Sequence, residues 1–441
     1  MEIIIKIVQF LLSFSLLVIV HEFGHFMFAR IFGVRVETFQ LFFGRPLVTF
    51  TSRRGTVYGI GCFPFGGFVK LAGMIDESLD TEQMQSPPAP DEFRSKPAWQ
   101  RLLIMVGGVL MNVVLAFCIY VGLNWRLGEN YLSTTDAKYG YVFSQQAQRM
   151  GFRNGDQILS VNGKTYEDLR ELHMALLLEP NSSVRLLRDG DTVQLVMPDV
   201  AITELAEDVE FLLPRYPFRI GMVVEDGGAD KAGIVVGDRI VALNGEQLPF
   251  FDQYIERLPE FSDSVVTLGV ERTINGIDSL MQFAVEVSAD GKIGAQADML
   301  ALTPVHTRHY SFLQSIPAGA RRIRTEISNY WKQLKLVFMP KTKAYKSLGG
   351  PIAIGSIFPT TWNWVVFWEI TAMLSIVLAV MNILPIPALD GGHVLFLLVE
   401  VVSGRKPGDK FIIRAQMVGM AILFALIIFA TTNDIFRYLV K

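Results

Sequence analysis

The sequence predicts an α-helical integral membrane protein with four transmembrane helices. A re-entrant or interfacial β segment follows the first, and two small α+β domains are inserted between the second and third. Three observations predict this. Four apolar runs approach the roughly 20 residues that a bilayer core requires. Of 441 residues, 51% are hydrophobic and 19% charged, with a mean hydropathy of +0.35, a balance that suits spans joined to water-exposed domains. A string of residues in the middle of the chain recurs 82 residues later.

The first helix occupies residues 1–34, its apolar run reaching from about Ile4 to Phe32. Lys6 followed by apolar residues imitates a signal peptide. No small-residue cleavage site follows, so the segment reads as a retained span. Residues 35–100 form a loop. There Leu47–Thr51 and Thr56–Ile60 flank Gly55 in a hairpin pattern, and Phe63–Val69 is apolar, too short to span, and broken by Pro64, Gly66 and Gly67. Residues 76–96 are acidic and Pro-rich, the pattern of a linker. The second helix, 101–125, contains 22 residues from Leu102 to Leu123 without a charge.

Two repeats follow, at 126–214 and 215–305. Gly151, Gly155, Asp156, Ile158, Asn162 and Gly163 of the first return as Gly233, Gly237, Asp238, Ile240, Asn244 and Gly245 of the second. Each reads as turn, strand, Asn-Gly turn, strand, then helix. A spacing of 82 is too long for a solenoid unit and indicates two tandem domains. The shared G-x-x-x-G-D-x-I-x-x-x-N-G string resembles bacterial PDZ domains, which bind peptides as an added strand on a sheet edge. Tyr139–Val142 and Ile220–Val223 stand where a carboxylate-binding loop belongs, and both depart from the usual Gly-Leu-Gly-Phe type. Peptide binding and a ligand-free spacer role both fit.

Residues 306–361 contain an amphipathic helix and a linker. Eight Lys/Arg lie between Arg321 and Lys346, opposite Ile316, Ile323, Ile327, Tyr330 and Leu334. Contact with a membrane surface and plain packing are both open. The third helix takes 362–393, a cytoplasmic loop 394–411, and the fourth helix 412–436. Net charge is −3, which gives no basis for nucleic-acid binding. Cys62 and Cys118 do not make a disulfide framework.

The chemistry gathers in two stretches. His21-Glu22-Phe23-Gly24-His25 lies in the first span. Residues four apart share a helix face, so His21 and His25 can offer two nitrogens to one ion, with Glu22 beside them as a base for a water. Ionisable groups are costly in a bilayer and are functional there by default. The third span ends in Asn382-Ile383-Leu384-Pro385-Ile386-Pro387-Ala388-Leu389-Asp390-Gly391-Gly392, which cannot continue a regular helix. Irregular backbone at membrane depth lines a cavity or is buried in protein. One span intervenes, so the first and third run in the same direction and bring Asp390 to the side and depth of His21 and His25. Two His, one Asp and an open position describe a catalytic zinc site for a single Zn2+. No cofactor-binding residues beyond these metal ligands stand out.

Arg30, Arg35, Arg94, Lys96 and Arg101 flank the first loop, and Arg405, Lys406, Lys410 and Arg414 the last. The positive-inside rule makes both loops cytoplasmic, with the repeats and both termini outside. In combination, H-E-x-x-H, the tandem repeats and N-x-x-P-x-P-x-L-D-G-G resemble the site-2 protease family of intramembrane zinc metalloproteases over nearly the whole chain. The resemblance implies a zinc metalloendopeptidase of a bacterial inner membrane, with its active site towards the cytoplasm. Its substrates would be single-span membrane proteins: an anti-sigma factor after a first cut, in envelope stress signalling, and remnant signal peptides. It assigns the ligands to His21, His25 and Asp390 and the catalytic acid to Glu22. It ties Asn382, Pro385 and Pro387 to substrate handling, and Phe65, Gly66 and Gly67 to a membrane-associated β loop that meets substrate. Val106-Gly107-Gly108-Val109 departs from the family's Gly-Pro step before Asn112. A membrane-anchored scaffold with a dead site is the competing reading, and Glu22 speaks against it. A metal transporter would spread polar residues through several spans, whereas the second and fourth are almost wholly apolar.

Overall fold

Helix α1 (Glu2–Ile31) runs unbroken through the first apolar segment and through His21 and His25. The structure is a computed structural model that describes residues 2–74, 87–179, 181–199, 205, 211–274, 276–298, 304–337, 339 and 349–438. Its contacts divide into two units, one of Met1–Gly128, His309–Lys335 and Leu348–Lys441, the other of Glu129–Arg308 and Leu336–Ser347.

The first unit adds helix α2 (Ala98–Leu127), α3 (Phe312–Val337) as far as Lys335, α4 (Pro351–Ser356), α5 (Trp364–Ile383), α6 (Asp390–Ser403) and α7 (Asp409–Tyr438). Among the described residues, four helices are long and apolar enough to cross a membrane: Glu2–Ile31, Ala98–Leu127, Trp364–Ile383 and Lys410–Phe436. Their outer faces leave Ile3, Leu110, Phe424 and Ile428 more than 40% exposed, an apolar surface that lipid can solvate and water cannot. Between the helices, small and polar groups take over, as membrane packing favours. The Thr371 and Ser13 hydroxyls lie 2.9 Å apart, and Ser375 Oγ donates to the Asn112 carbonyl at 2.8 Å.

Residues 36–71 form strands β1 (Val36–Thr51) and β2 (Val57–Leu71), each bent so that it pairs twice. Phe39 sits opposite both Val69 and Tyr58, and Leu41 opposite both Gly67 and Ile60. The result is a four-segment antiparallel sheet. Residues 36–41 lie between 67–71 and 57–60, and 48–51 lie beyond 57–60. Among the described residues, strand 67–71 is therefore an edge. The hairpin expected around Gly55 is present, extended at both ends. Of the expected linker 76–96, residues 75–86 lie outside the described residues.

One expectation changes. Residues 394–411 are not simply a loop: α6 runs through Ser403 and stops where Gly404 takes φ 64°. Gly391 and Gly392 let α6 begin against the backbone of residues 383–387, since a Cβ on Gly392 would stand 2.6 Å from Pro387 Cα. The basic helix α3 turns Ile323, Ile327, Tyr330 and Leu334 onto Ala116 and Tyr120 of α2 and onto Ala372, Ile376 and Val380 of α5. Glu369 of α5 lies 3.7 Å from Arg322 of α3.

In the second unit the two repeats have separate cores. One is built on Phe143, Phe152, Leu172, Leu186 and Phe211, the other on Phe218, Ile234, Tyr254, Leu268 and Val285. Corresponding turns are closed alike. The Arg188 guanidinium grips Asp156 and donates to the Gly151 carbonyl at 2.8 Å. Arg272 grips Asp238 and donates to the Gly233 carbonyl at 2.8 Å. Asn162 and Asn244, both at φ 51°, accept from Ser183 N and Thr267 N. Strand Val305–Arg308 returns beside Glu129–Leu132, where His306 pairs with Asp136 at 2.6 Å. That pair occupies the His306 ring.

Candidate active site

His21 and His25 occupy successive turns of α1 and are both buried. Asp390 is the first residue of α6, delivered by the break that Pro385 and Pro387 impose after α5. The three side chains converge. His21 Nε2 is 3.3 Å from His25 Nε2 and 3.1 Å from Asp390 Oδ2, and His25 Nε2 is 3.4 Å from the same oxygen.

These edges test the fit to zinc. Donors at about 2.0–2.1 Å from a tetrahedral ion stand roughly 3.3–3.4 Å apart, close to the triangle seen here. Asp390 Oδ2 is buried without a hydrogen-bond partner among the described residues. Three lone-pair atoms turned on one point are unfavourable unless a cation lies between them. His25 is set for this task. Its Nδ1 donates to the Ile104 carbonyl at 2.9 Å, leaving the Nε2 lone pair for an ion.

The triangle opens on a cavity of about 830 Å³. Glu22 lines it, and its carboxylate takes a hydrogen bond from the backbone of Val69 on the edge strand. Gly66 through Leu71 line the same cavity, as do Asn382, His393 and Gln416. Asn382 Nδ2 is 3.2 Å from His21 Nε2, beside the donor triangle. The arrangement puts the three donor side chains, the Glu22 carboxylate, the Asn382 amide and the outer strand of the sheet around one space.

Not every residue singled out in the sequence faces that space. Pro385 and Pro387 do not line it; Pro387 packs under Gly419 of α7, and both shape the break. Gly67 and Gly66 do line it, with Gly66 against the Phe43 ring; the Phe65 side chain lies outside the described residues. Sequence reasoning missed the Ile104 carbonyl, which is backbone and leaves no residue signal. It also missed Gln416, 2.9 Å from His393 Nε2, whose signal was an amide in an otherwise apolar span. Asn112, buried in α2, reaches His21 Nδ1 at 3.3 Å.

The profile of peptidase family M50 matches residues 9–426, so the chain belongs to that family. Similar proteins include the regulator of sigma E protease of Haemophilus influenzae, 26% identical, the match covering 97% of this chain and 98% of that one. Protease RseP of Yersinia pestis is also 26% identical, over 99% of this chain and 100% of its own. A protein of Pasteurella multocida, named as a zinc metalloprotease, is 28% identical over 97% and 98%. The chain is an integral membrane zinc metalloprotease of the site-2 type.

Proposed function

We propose that this M50 protease cuts inside the membrane-embedded segment of single-span proteins. The substrates would be an anti-sigma factor already shortened by a first protease, and remnant signal peptides. The sigma E regulation named for the Haemophilus influenzae relative supports the first of these. The observation that carries the reading is the common cavity, where the His21, His25 and Asp390 triangle and Glu22 meet the edge strand at Gly66–Leu71.

His21, His25 and Asp390 would hold the ion. Bound zinc would polarise the scissile carbonyl and acidify the attacking water. Glu22 takes the proton from that water as the water oxygen adds to the carbonyl carbon, then passes it to the leaving amine as the C–N bond breaks. The Val69 backbone hydrogen bond keeps the carboxylate turned to the cavity. Asn382 donates to the opened substrate backbone. A helical substrate hides its peptide bonds, so it must unwind, and the freed strand then pairs with the outer strand at 67–71.

The two repeats read as PDZ domains that restrict bulky substrates. By the charge of the flanking loops they face the periplasm, with both termini, across a bacterial inner membrane. The test uses purified protein and a reconstituted single-span substrate. Glu22→Gln retains one zinc per chain and loses cleavage by about a hundredfold or more. Asp390→Ala loses zinc and cleavage together. Cleavage retained by Glu22→Gln would remove Glu22 from the chemistry.

A further inference from the structure

We infer that Asn112 is a positioning residue for the metal site. It fixes the His21 ring by accepting a hydrogen bond from Nδ1–H, as the Ile104 carbonyl does for His25. The inference rests on His21 being a zinc ligand. Its starting point is a contact between α1 and α2, where the Asn112 amide lies 3.3 Å from His21 Nδ1. Asn112 is fully buried, and its other amide atom, Oδ1 as placed, has no hydrogen-bond partner among the described residues. The residue is held from behind by its own backbone, whose carbonyl accepts from Ser375 Oγ at 2.8 Å.

The two ends of an amide have the same shape, so its orientation follows from the hydrogen bonds it can make. With Nδ2 towards His21 the contact needs a lone pair on Nδ1. A neutral imidazole with that lone pair carries its proton on Nε2, the atom facing Asp390 and His25. Such a ring cannot give Nε2 to a cation. With Oδ1 towards His21 the contact needs a proton on Nδ1, and Nε2 is then free to bind. Either orientation leaves one amide atom over, so His21 decides between them. Both ligand imidazoles would then be held in the metal-binding tautomer from α2, one by a backbone carbonyl and one by a side chain. Metal-ligating histidines usually donate their second N–H in this way. Gly107 and Gly108, on the turn before Asn112, allow α2 close enough for both contacts. A Cβ on Gly108 would stand 2.5 Å from His25 Nε2 and 2.6 Å from His21 Cε1.

The test measures zinc affinity by chelator competition in the inactive Glu22→Gln protein. Asn112→Asp keeps an acceptor of the same shape, and Asn112→Leu keeps bulk without one. The expected result is affinity near that of the parent for the Asp variant and a loss of about 10–100-fold for the Leu variant. A residue that merely packs between helices gives the opposite order, because Leu is tolerated and a buried carboxylate is not. Equal affinity of the Leu variant and the parent overturns the inference, as does equal loss in both variants. His21→Ala in the same assay must bind zinc far more weakly. If it does not, the ligand assignment itself fails, a distinct result. Should Asn112→Leu not fold, 15N-histidine labelling of zinc-loaded protein decides the matter. A slowly exchanging Nδ1–H signal that moves in Asn112→Asp supports the inference, and absence of such a signal overturns it.

Discussion

Gly24 of α1 packs directly on Gly107 of α2: a Cβ on Gly24 would stand 2.5 Å from the Gly107 carbonyl carbon and 2.7 Å from Gly108 N. The obstacle is backbone, so no side chain can turn away to make room. Gly24→Ala must separate the helices next to both histidines, breaking the Ile104 carbonyl contact to His25. We expect zinc affinity to fall at least tenfold, with the four spans still inserted. Gly108→Ala pushes on the two imidazoles themselves and gives an equal or larger loss. Chelator competition reads both, and wild-type affinity in either would mean the helix contact does not set the site.

The donor triangle was legible in the sequence because helical spacing pairs His21 with His25, and because one intervening span returns Asp390 to the same depth. Its supports were not. Ile104 contributes a carbonyl that any residue would supply, and Gly107 and Gly108 act through the side chains they lack. Pro385 and Pro387 announced a break, but not that the chain would start a new helix, α6, at Asp390 itself. The reason is local: Gly391 and Gly392 let that helix start against the turn just made, and no periodicity expresses such an approach.

The repeats show the same limit. Asp156 and Asp238 were found by their fixed spacing. Their arginines escaped because Arg188 lies 32 residues past its aspartate and Arg272 lies 34 past its own. Asp156 and Asp238 are almost fully buried, so removing either guanidinium leaves a buried carboxylate with no countercharge and, among the described residues, only the backbone N–H of Arg153 or Val235 to hold it. Arg188→Ala and Arg272→Ala should each cost about 3–5 kcal/mol. Since the two pairs brace different cores, the double variant should lose the sum. Denaturant unfolding of the repeats, followed by hydrogen exchange, checks this; strongly non-additive losses would mean the cores are coupled.

The repeats should also weaken in alkali. Burial pushes the Tyr141 phenol up to about 12 and raises that of Tyr254 further. An unfolded tyrosine loses its proton near pH 10, so above that pH the unfolded state binds fewer protons than the folded one. Stability therefore falls as pH rises from about 10 to about 12, by at most about 1.4 kcal/mol per pH unit for each phenol, and is unaffected below 10. Tyr254→Phe should flatten the decline around the second core. At neutral pH it should be neutral or stabilising by up to about 1 kcal/mol, because the Tyr254 hydroxyl is buried without a hydrogen-bond partner among the described residues. Thermal unfolding across pH 7–12 measures both effects.

Asp434 of α7 is buried at the start of α4. Its carboxylate accepts from Gly350 N at 2.9 Å and from Ile352 N and Ala353 N at 3.0 Å each, capping that short helix from another element. On its other side the chain is held to α1, where Gln9 Nε2 donates to the Pro359 carbonyl at 2.9 Å. A six-residue helix does not hold itself together, so the cap decides whether residues 350–359 stay ordered. Asp434→Ala strands three N–H groups and should cost at least about 1–2 kcal/mol locally. Hydrogen exchange at Ile352 and Ala353 should then rise at least tenfold, while Asp434→Asn, with one oxygen left to accept, should fall between. If exchange is unchanged in Asp434→Ala, the Gln9 contact alone suffices, and Gln9→Leu in that background should then release the segment.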